Sequence, residues 1–203
     1  MLDKYSRLLF DEWFVRLRYP DHTQNRTVDG VPEKWERRPL GEAFILQRGF
    51  DLPDQSRKSG VIPIYGSTGV VGYHNEAMVS APGVVTGRSG TLGDVHFVRE
   101  NFWPLNTALW VKEFRRVSPL YALLLLKTMD LKQYNGGVSV PTLDRKSIHR
   151  IEILIPPRDL IEQFDSVVIS SFNQIGNLGI QNGKLCRARD LLLPRLMDGR
   201  IEV

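Results

Sequence analysis

The sequence predicts an α+β fold: a short N-terminal helix, a mixed-sheet domain and a long coiled-coil-forming C-terminal helix. Two observations support this prediction. Between residues 35 and 157, apolar runs of strand length alternate with turn residues. After Pro157 this pattern stops, and apolar residues recur at alternating intervals of three and four as far as residue 197.

Residues 1–20 predict a short helix that is amphipathic. Apolar and aromatic side chains recur there at helical spacing, and Pro20 ends the pattern because its ring cannot continue a helix. Residues 21–34 are polar and contain the turn pair Asp29-Gly30, so we expect a connector there. The residues that carry the helical spacing are Leu2, Tyr5, Leu9, Trp13 and Leu17.

Residues 35–157 predict one α+β domain. Ser118-Pro119 precedes a leucine-rich segment in the way that a capping serine and a first-turn proline precede a helix. The loops between the apolar runs are long and rich in glycine, and such loops on a rigid scaffold commonly carry function. The apolar runs lie at 43–46, 61–65, 84–86, 95–98, 107–111 and 151–155.

Residues 158–203 predict one long helix with an apolar seam. A helix of about 40 residues is roughly 60 Å long, whereas a domain of about 120 residues has a radius of gyration of roughly 14 Å. The seam therefore needs a partner helix, most simply in an antiparallel homodimer. The alternative is a broken pair of core helices, interrupted at Gly176, Gly179 and Gly183. The seam residues are Ile161, Phe164, Val168, Ile175, Leu178, Asn182, Leu185 and Leu192.

The composition limits the possible functions. The chain has 203 residues, 42% of them hydrophobic, and a formal net charge of +4. Its pI of about 9.3 favours a polyanionic partner only mildly. The single cysteine, Cys186, excludes a disulfide framework and fits a reducing compartment. No apolar run reaches the roughly 18 residues of a membrane span, and the N-terminus lacks signal-peptide features, so we expect a cytoplasmic protein.

Catalytic signatures are missing from the sequence. Pro156-Pro157 lacks the neighbours that an amino-methyltransferase needs, and residues 86–93 lack the lysine and the spacing of a P-loop. The four histidines lie too far apart for metal-ligand spacing. Asp130-Leu131-Lys132 resembles the end of a nuclease motif but has no convincing carboxylate partner. We therefore expect no catalytic residues and no metal site, and a protein that is not an enzyme.

Four loops combine glycine with polar and basic side chains, as a DNA-binding surface requires. Loop 1 comprises residues 47–58, loop 2 residues 65–75, loop 3 residues 86–93 and loop 4 residues 135–146. For any single loop, the alternative is that its glycines only form hairpin turns. We expect base contacts from Arg48, Ser67, Thr68, Tyr73, Arg88, Ser89, Thr91 and Ser139, and phosphate contacts from Lys58, Arg145 and Lys146.

Six motifs and the C-terminal sequence carry a family resemblance. The motifs are LGEAFILQRG (40–49), IPIYGSTG (62–69), VVTGRSGTLG (84–93), FWPLNTALWV (102–111), GGVSVPTLDRKSIHRIEILIPP (136–157) and EQFDSV (162–167). The ending RDLLLPRLMDGRIEV (189–203) is the most specific of these features. Over nearly its whole length, the chain resembles the specificity (S) subunit of a type I restriction-modification system.

The resemblance implies a role for each part of the chain. Residues 35–157 would be a target recognition domain for double-stranded DNA. Residues 158–203 would be the conserved helix that pairs with another long helix and docks a methyltransferase (M) subunit. A motor-nuclease (R) subunit would join the resulting M-S complex. S-adenosylmethionine, ATP and Mg²⁺ are then expected on the partner subunits only, with no cofactor on this chain.

The chain departs from the family pattern in one respect. A typical S subunit carries two recognition domains, whereas one is found here, so the resemblance implies a half-length form. The segment SRLLFDEWFVRLRYP (6–20) looks like the tail of the first long helix. Three other functions remain open: a nuclease or methyltransferase with an unrecognised site, which the missing motifs disfavour, a protein-interaction module that binds no DNA, and a regulatory half-subunit that competes with a full-length S subunit.

Overall fold

The computed structural model describes residues 2–137 and 141–198. Its architecture is α+β with mixed sheets, a short N-terminal helix and a long C-terminal helix, which confirms the predicted fold class. Asp21–Asp165 form one compact unit, and the residues up to Pro20 form a second unit with those from Ser166 onward. The larger unit includes the predicted connector and the beginning of the last helix.

The helices and strands are numbered in chain order. The helices are α1 (Leu2–Phe10), α2 (Leu40–Ala43), α3 (Pro119–Thr128), α4 (Arg145–His149) and α5 (Arg158–Met197). The strands are β1 (Thr27–Val28), β2 (Val31–Pro32), β3 (Glu36–Pro39), β4 (Phe44–Arg48), β5 (Ile62–Gly66), β6 (Gly69–His74), β7 (Gly83–Gly87), β8 (Val95–Val98), β9 (Trp103–Pro104), β10 (Ala108–Phe114) and β11 (Glu152–Ile155). Each predicted apolar run coincides with a strand to within a few residues.

Sheet pairing brings the ends of the predicted loops together. An antiparallel sheet has the order β4-β10-β7-β8, and a mixed sheet has the order β6-β5-β9, with β5 antiparallel to β6 and parallel to β9. Strand β10 pairs with both β4 and β7, so Leu109 lies opposite Arg48 on one side and Thr86 on the other. Loops 1 and 3 therefore begin at neighbouring strand ends.

Helix α3 packs against β7 and β8 and supplies much of the core. It is apolar on nearly all sides, which is the pattern of a buried helix, and Tyr121 and Leu124 are almost completely enclosed. The predicted cap is confirmed: the Ser118 hydroxyl accepts a hydrogen bond from the Tyr121 backbone N–H at 3.0 Å, and Pro119 occupies the first turn. The same hydroxyl donates to Asp165 at 3.0 Å.

The N-terminal segment is helical, but its α-helix is shorter than predicted. Helix α1 ends at Phe10, and a π-helical turn follows at Asp11–Val15, closed by a bond from Arg16 N–H to the Asp11 carbonyl at 2.8 Å. The rings of Phe10 and Phe14 lie 5.0 Å apart, and both side chains are buried. Helical spacing alone cannot distinguish an α-helix from one that contains a π turn.

Helix α5 is continuous from Arg158 to Met197, so the alternative of a broken helix pair is wrong. Among the predicted seam residues, Ile161, Phe164 and Val168 are buried within this chain, which corrects their assignment to a partner helix. Ile175 is half-buried, and the seam from Leu178 onward is exposed. Within the described part of the chain, no helix is both long enough and apolar enough to cross a membrane.

Alanine at Gly179 is expected to increase the free energy of unfolding by about 1 kcal/mol. The reason is that a Cβ at this position meets no atom within 4 Å, while glycine weakens a helix interior through its backbone entropy. Urea denaturation of Gly179→Ala would measure the change. Gly83→Ala is the contrasting variant, because a Cβ there overlaps the Phe102 ring and should be destabilising. A destabilised Gly179→Ala protein would contradict the prediction.

Candidate nucleic-acid interface

Loops 2 and 3 meet at Gly87, the last residue of β7. Gly87 is buried, and a Cβ there would overlap the carbonyl oxygen of Thr91 in loop 3 and lie 2.9 Å from that of Ser67 in loop 2. Only glycine leaves room for both carbonyl groups. The close approach therefore brings two predicted base-contacting residues, Ser67 and Thr91, next to the same strand end.

Loops 3 and 4 are joined by main-chain hydrogen bonds. The Leu143 N–H donates to the Arg88 carbonyl at 2.7 Å, and the Gly90 N–H donates to the Pro141 carbonyl at 2.9 Å. Between these bonds, Ser89 and Thr142 form an antiparallel bridge. Loop 3 is thus held as if it were a short strand beside loop 4.

Loop 3 is also anchored to the segment that leads into β10. The N–H groups of Arg88 and Ser89 both donate to the Thr107 carbonyl, at 2.8 and 3.1 Å. The Arg88 guanidinium donates to the Asn106 carbonyl at 3.1 Å. Arg88 is therefore half-buried and has a fixed orientation at the base of the loop.

Loop 1 is linked through Asp51 to Asn106, in the segment that leads into β10. The Asp51 carboxylate oxygen Oδ1 accepts from the side-chain amide of Asn106 and from the Arg48 guanidinium, the latter at 3.4 Å. Since Asn106 also accepts from Arg88, a polar network runs from Arg48 through Asp51 and Asn106 to Arg88. Two of the predicted arginines, which are far apart in the sequence, are joined in this way.

Helix α4 carries Arg145 and Lys146 and is tied to β4. The imidazole Nε2 of His149 accepts a hydrogen bond from the Leu46 backbone N–H at 2.9 Å. Burial, and then the positive charges of Arg145 and Arg115, lower the pKa of His149, so the ring stays neutral and can act as an acceptor. Because β4 ends at Arg48, this bond sets the position of Arg145 relative to loop 1.

Three arginines from separate segments line one groove, which we call the arginine groove. Arg48 comes from loop 1, Arg88 from loop 3, and Arg145 from the start of α4, and the groove has a volume of about 310 Å³. Their positive charges suit a polyanion. Among residues 2–137 and 141–198, no three His, Cys, Asp or Glu side chains form a group that could hold a metal ion. Among the described residues, the groove is lined by Arg48, Arg88, Leu109, Gly136, Thr142, Leu143, Asp144 and Arg145.

A family model described as the type I restriction modification DNA specificity domain matches residues 32–185. The chain belongs to this family. The match covers most of the chain, including all four loops, the arginine groove and the larger part of α5. It confirms the resemblance that the sequence motifs indicated.

Curated relatives of this specificity-domain protein are specificity subunits of type I restriction enzymes. The type I restriction enzyme HindI specificity subunit of Haemophilus influenzae is 26% identical over 198 residues, covering 84% of this chain and 42% of that protein. The MjaIX specificity subunit of Methanocaldococcus jannaschii is 24% identical, covering 100% of this chain and 54% of that protein. The chain spans about half the length of the curated relatives it matches. Both relatives are named as specificity subunits of type I restriction enzymes.

Solved structures of specificity subunits share the fold. The S subunit from M. genitalium matches with a TM-score of 0.70 and 19% identity, covering 96% of this chain and 55% of that chain. The HsdS subunit from Thermoanaerobacter tengcongensis matches with a TM-score of 0.56 and 12% identity, covering 96% and 50%. At these identities the likeness concerns the fold and not the residues that contact a target.

The predicted contact residues of this specificity-domain protein do not all converge. Ser67, Ser89 and Thr91 lie in the loops that meet around Gly87, and the three arginines line the groove. Thr68 is exposed beside Ser67, and Lys146 is exposed on α4 without lining the groove. Lys58 and Tyr73 lie apart from the groove: the Lys58 N–H donates to His74 at 3.0 Å, and Tyr73 is exposed on β6. Ser139 lies outside the described residues.

Sequence reasoning missed Asp51 and Asn106, the two residues that link the arginines. An acid counts against DNA contact when charge alone is considered, and Asn106 belongs to a motif that looks like core. A signal was present, because Asp51 follows Arg48 by three residues and such pairs often interact. The arrangement as a whole can donate from arginines, accept at Asp51 and offer hydroxyls from loops 2 and 3.

Proposed function

We propose that this chain recognises a specific sequence in duplex DNA, through loops 1–4 and the arginine groove. One observation supports this most strongly: three arginines from segments distant in the sequence converge on one groove in a member of the specificity family. Arginine binds both phosphates and the guanine edge. In this proposal the chain is the recognition subunit of a larger complex and performs no catalysis itself.

The geometry supports recognition of the base sequence, and not only electrostatic attraction to the DNA backbone. Arg88 donates to the Asn106 carbonyl and Arg48 donates to the Asp51 carboxylate, so the donors of these two arginines are oriented before DNA arrives. Exposed hydroxyls at Thr68 and Thr91 lie in loops that meet at Gly87. Oriented donors with nearby hydroxyls can discriminate between bases, whereas mobile lysines mainly position phosphates.

The proposal extends to partner subunits. A methyltransferase subunit would bind S-adenosylmethionine and methylate adenine, and a motor-nuclease subunit would use ATP and Mg²⁺ after joining through the methyltransferase. This chain would hold none of these cofactors. Helix α5 supplies the assembly surface, since Leu178 and Leu185 are each more than half exposed. Two copies pairing antiparallel through this surface would recognise a palindrome interrupted by a spacer.

Co-expression with a type I methyltransferase subunit tests the proposal. Genome-wide mapping of methylated adenines should find one bipartite sequence that depends on this chain. Absence of any sequence preference in an assembled complex would contradict DNA recognition and favour a protein-interaction module. Methylation at the target of a co-expressed full-length S subunit, reduced by this chain, would instead favour a competing regulatory half-subunit.

Replacing Arg88 with alanine is expected to weaken specific binding by about 1–3 kcal/mol and to relax one position of the target. Arg88 lines the groove and is held by Asn106 in one orientation, which is the geometry of a base-reading donor. Methylation mapping and competition binding would measure both effects. If Arg88 contacts phosphate, the loss will be uniform over all sequences and the salt dependence will be smaller.

A matched control for Arg88→Ala is Arg37→Ala. Arg37 is exposed on β3 and does not line the arginine groove. Removing it changes the net charge by the same amount, so it reports the effect of charge alone. Unchanged affinity and an unchanged methylation pattern in Arg88→Ala would exclude Arg88 from the interface.

A further inference from the structure

Asp51 lies with Arg48 and Arg145 in an open cleft next to the arginine groove, and the two depressions share both arginines. Its side chain is 71% exposed. Both of its side-chain hydrogen bonds, from Arg48 and from Asn106, end on Oδ1. Among the described residues, none donates a hydrogen bond to Oδ2. This oxygen is therefore a free acceptor beside Arg48.

Asp144, a carboxylate that lines the arginine groove itself, differs in this respect. Asp144 caps α4: one oxygen accepts from the Lys146 N–H at 3.2 Å, and the other accepts from the N–H and the hydroxyl of Ser147 at 3.1 and 2.7 Å. Hydrogen bonds from the Ser147 hydroxyl and then from the Lys146 N–H lower the pKa of Asp144. Its carboxylate therefore stays charged, and both oxygens remain bound to the start of α4. Of these two carboxylates, only Asp51 has an oxygen, Oδ2, that accepts no hydrogen bond from the described residues and can accept one from a ligand.

The chemistry of DNA restricts what Asp51 can contact. A phosphate repels a carboxylate, so the backbone cannot satisfy Oδ2. In the major groove, the hydrogen-bond donors are the exocyclic amines of cytosine and adenine. A G·C pair presents two acceptors on guanine next to the N4 amine of cytosine. The Arg48 guanidinium lies 3.4 Å from Asp51 Oδ1, so an arginine fork and a carboxylate with an open oxygen stand side by side, which is complementary to that order.

We propose that Arg48 and Asp51 together recognise one G·C base pair, with Arg48 donating to guanine O6 and N7 and Asp51 accepting from cytosine N4. Asn106 is the positioning residue, since its amide binds Oδ1 and leaves Oδ2 open. This inference rests on the proposed function and adds a base preference to it. It also assigns a role to an acid that charge considerations alone would place outside the interface.

The test is selection from a pool of randomised DNA duplexes by the complex of this chain with its methyltransferase partner. Asp51→Ala and Asp51→Asn should lose a preference for G·C at one position by roughly 5- to 150-fold. Their affinity for non-specific duplex should stay the same or rise, because a negative charge is removed. Arg48→Ala should lose preference at that same position and should also bind non-specific DNA less tightly.

The matched control is Asp54→Ala on the same loop. Asp54 also pairs with an arginine three residues away, Arg57, at 2.8 Å, and is 85% exposed, but unlike Asp51 it does not line the cleft that contains Arg48 and Arg145. It should leave every base preference unchanged. Asp51 variants that keep all preferences, that lose affinity equally for all sequences, or that change an A·T position would overturn the inference. A wild-type complex that selects no sequence would instead overturn the proposed function.

Discussion

Alanine at Gly87 is expected to abolish sequence-selective DNA binding. The added Cβ would overlap the Thr91 carbonyl and press against that of Ser67, and both are backbone atoms that cannot turn aside. The strand end and loops 2 and 3 must then separate, which displaces Arg88 from its bonds to Thr107 and Asn106. Overpacking of this kind also lowers the free energy of unfolding by about 1–3 kcal/mol.

Two measurements separate the local effect of Gly87→Ala from general instability. Urea denaturation gives the change in folding, and duplex selection by the assembled complex gives the change in recognition. Gly72→Ala is the control, since that strand glycine has a negative or extended φ and a Cβ there meets only ordinary contacts at 3.8 Å and beyond. Retention of full selectivity in Gly87→Ala would mean that the junction of loops 2 and 3 is not part of the interface.

Charged residues in the seam of α5 are expected to abolish self-association. In an Ile175→Asp and Leu185→Asp double variant, charges of one sign would be buried at the helix interface, where they cannot pair with each other across an antiparallel dimer, at a cost of several kcal/mol. The dimer dissociation constant should therefore rise by more than about 100-fold. Sedimentation equilibrium at micromolar concentration would measure it. The N-terminal seam residues Phe164 and Val168 are already buried and would report on folding instead.

Asn173→Asp with Asn177→Asp is a control for this double variant. These residues lie on the same helix but outside the predicted seam, so the same charges should leave association intact. A wild-type chain that sediments as a monomer under these conditions would contradict the antiparallel homodimer. Equal dissociation by both double variants would show that the seam does not form the interface.

The sequence predicts the elements of this fold better than it predicts their contacts. Apolar runs and the interrupted heptad depend on local spacing, so the strands β4, β5, β7, β8, β10 and β11, the capped helix α3 and the long helix α5 could be anticipated. The hairpin of β1 and β2 could not, because its strands are only two residues long and carry no apolar alternation. The early end of α1 at Phe10 depends on a change in hydrogen bonding within the same periodic pattern.

The sequence predicted which kinds of side chain form the candidate site, but only some of the particular residues that come together there. Arginines and hydroxyls in glycine-rich loops can be recognised from a sequence, and Arg48, Arg88 and Arg145 do meet. The bond between Asp51 and Asn106 joins positions 55 residues apart, and it follows from strand pairing rather than from any local pattern. Tyr73 and Lys58 show the converse, since suitable residue types in a suitable loop can still lie away from the groove.

The main-chain bonds between loops 3 and 4 have a consequence for how such a protein can acquire new targets. The bonds from Leu143 to Arg88 and from Gly90 to Pro141 use amide and carbonyl groups that do not depend on the side chain. Substitutions at Ser89 or Thr91 would therefore alter the chemical groups presented to DNA while the loop keeps its path. In the proposed DNA interface, the support of the loops would be separate from the choice of bases, so specificity could diverge by single substitutions without repeated loss of folding.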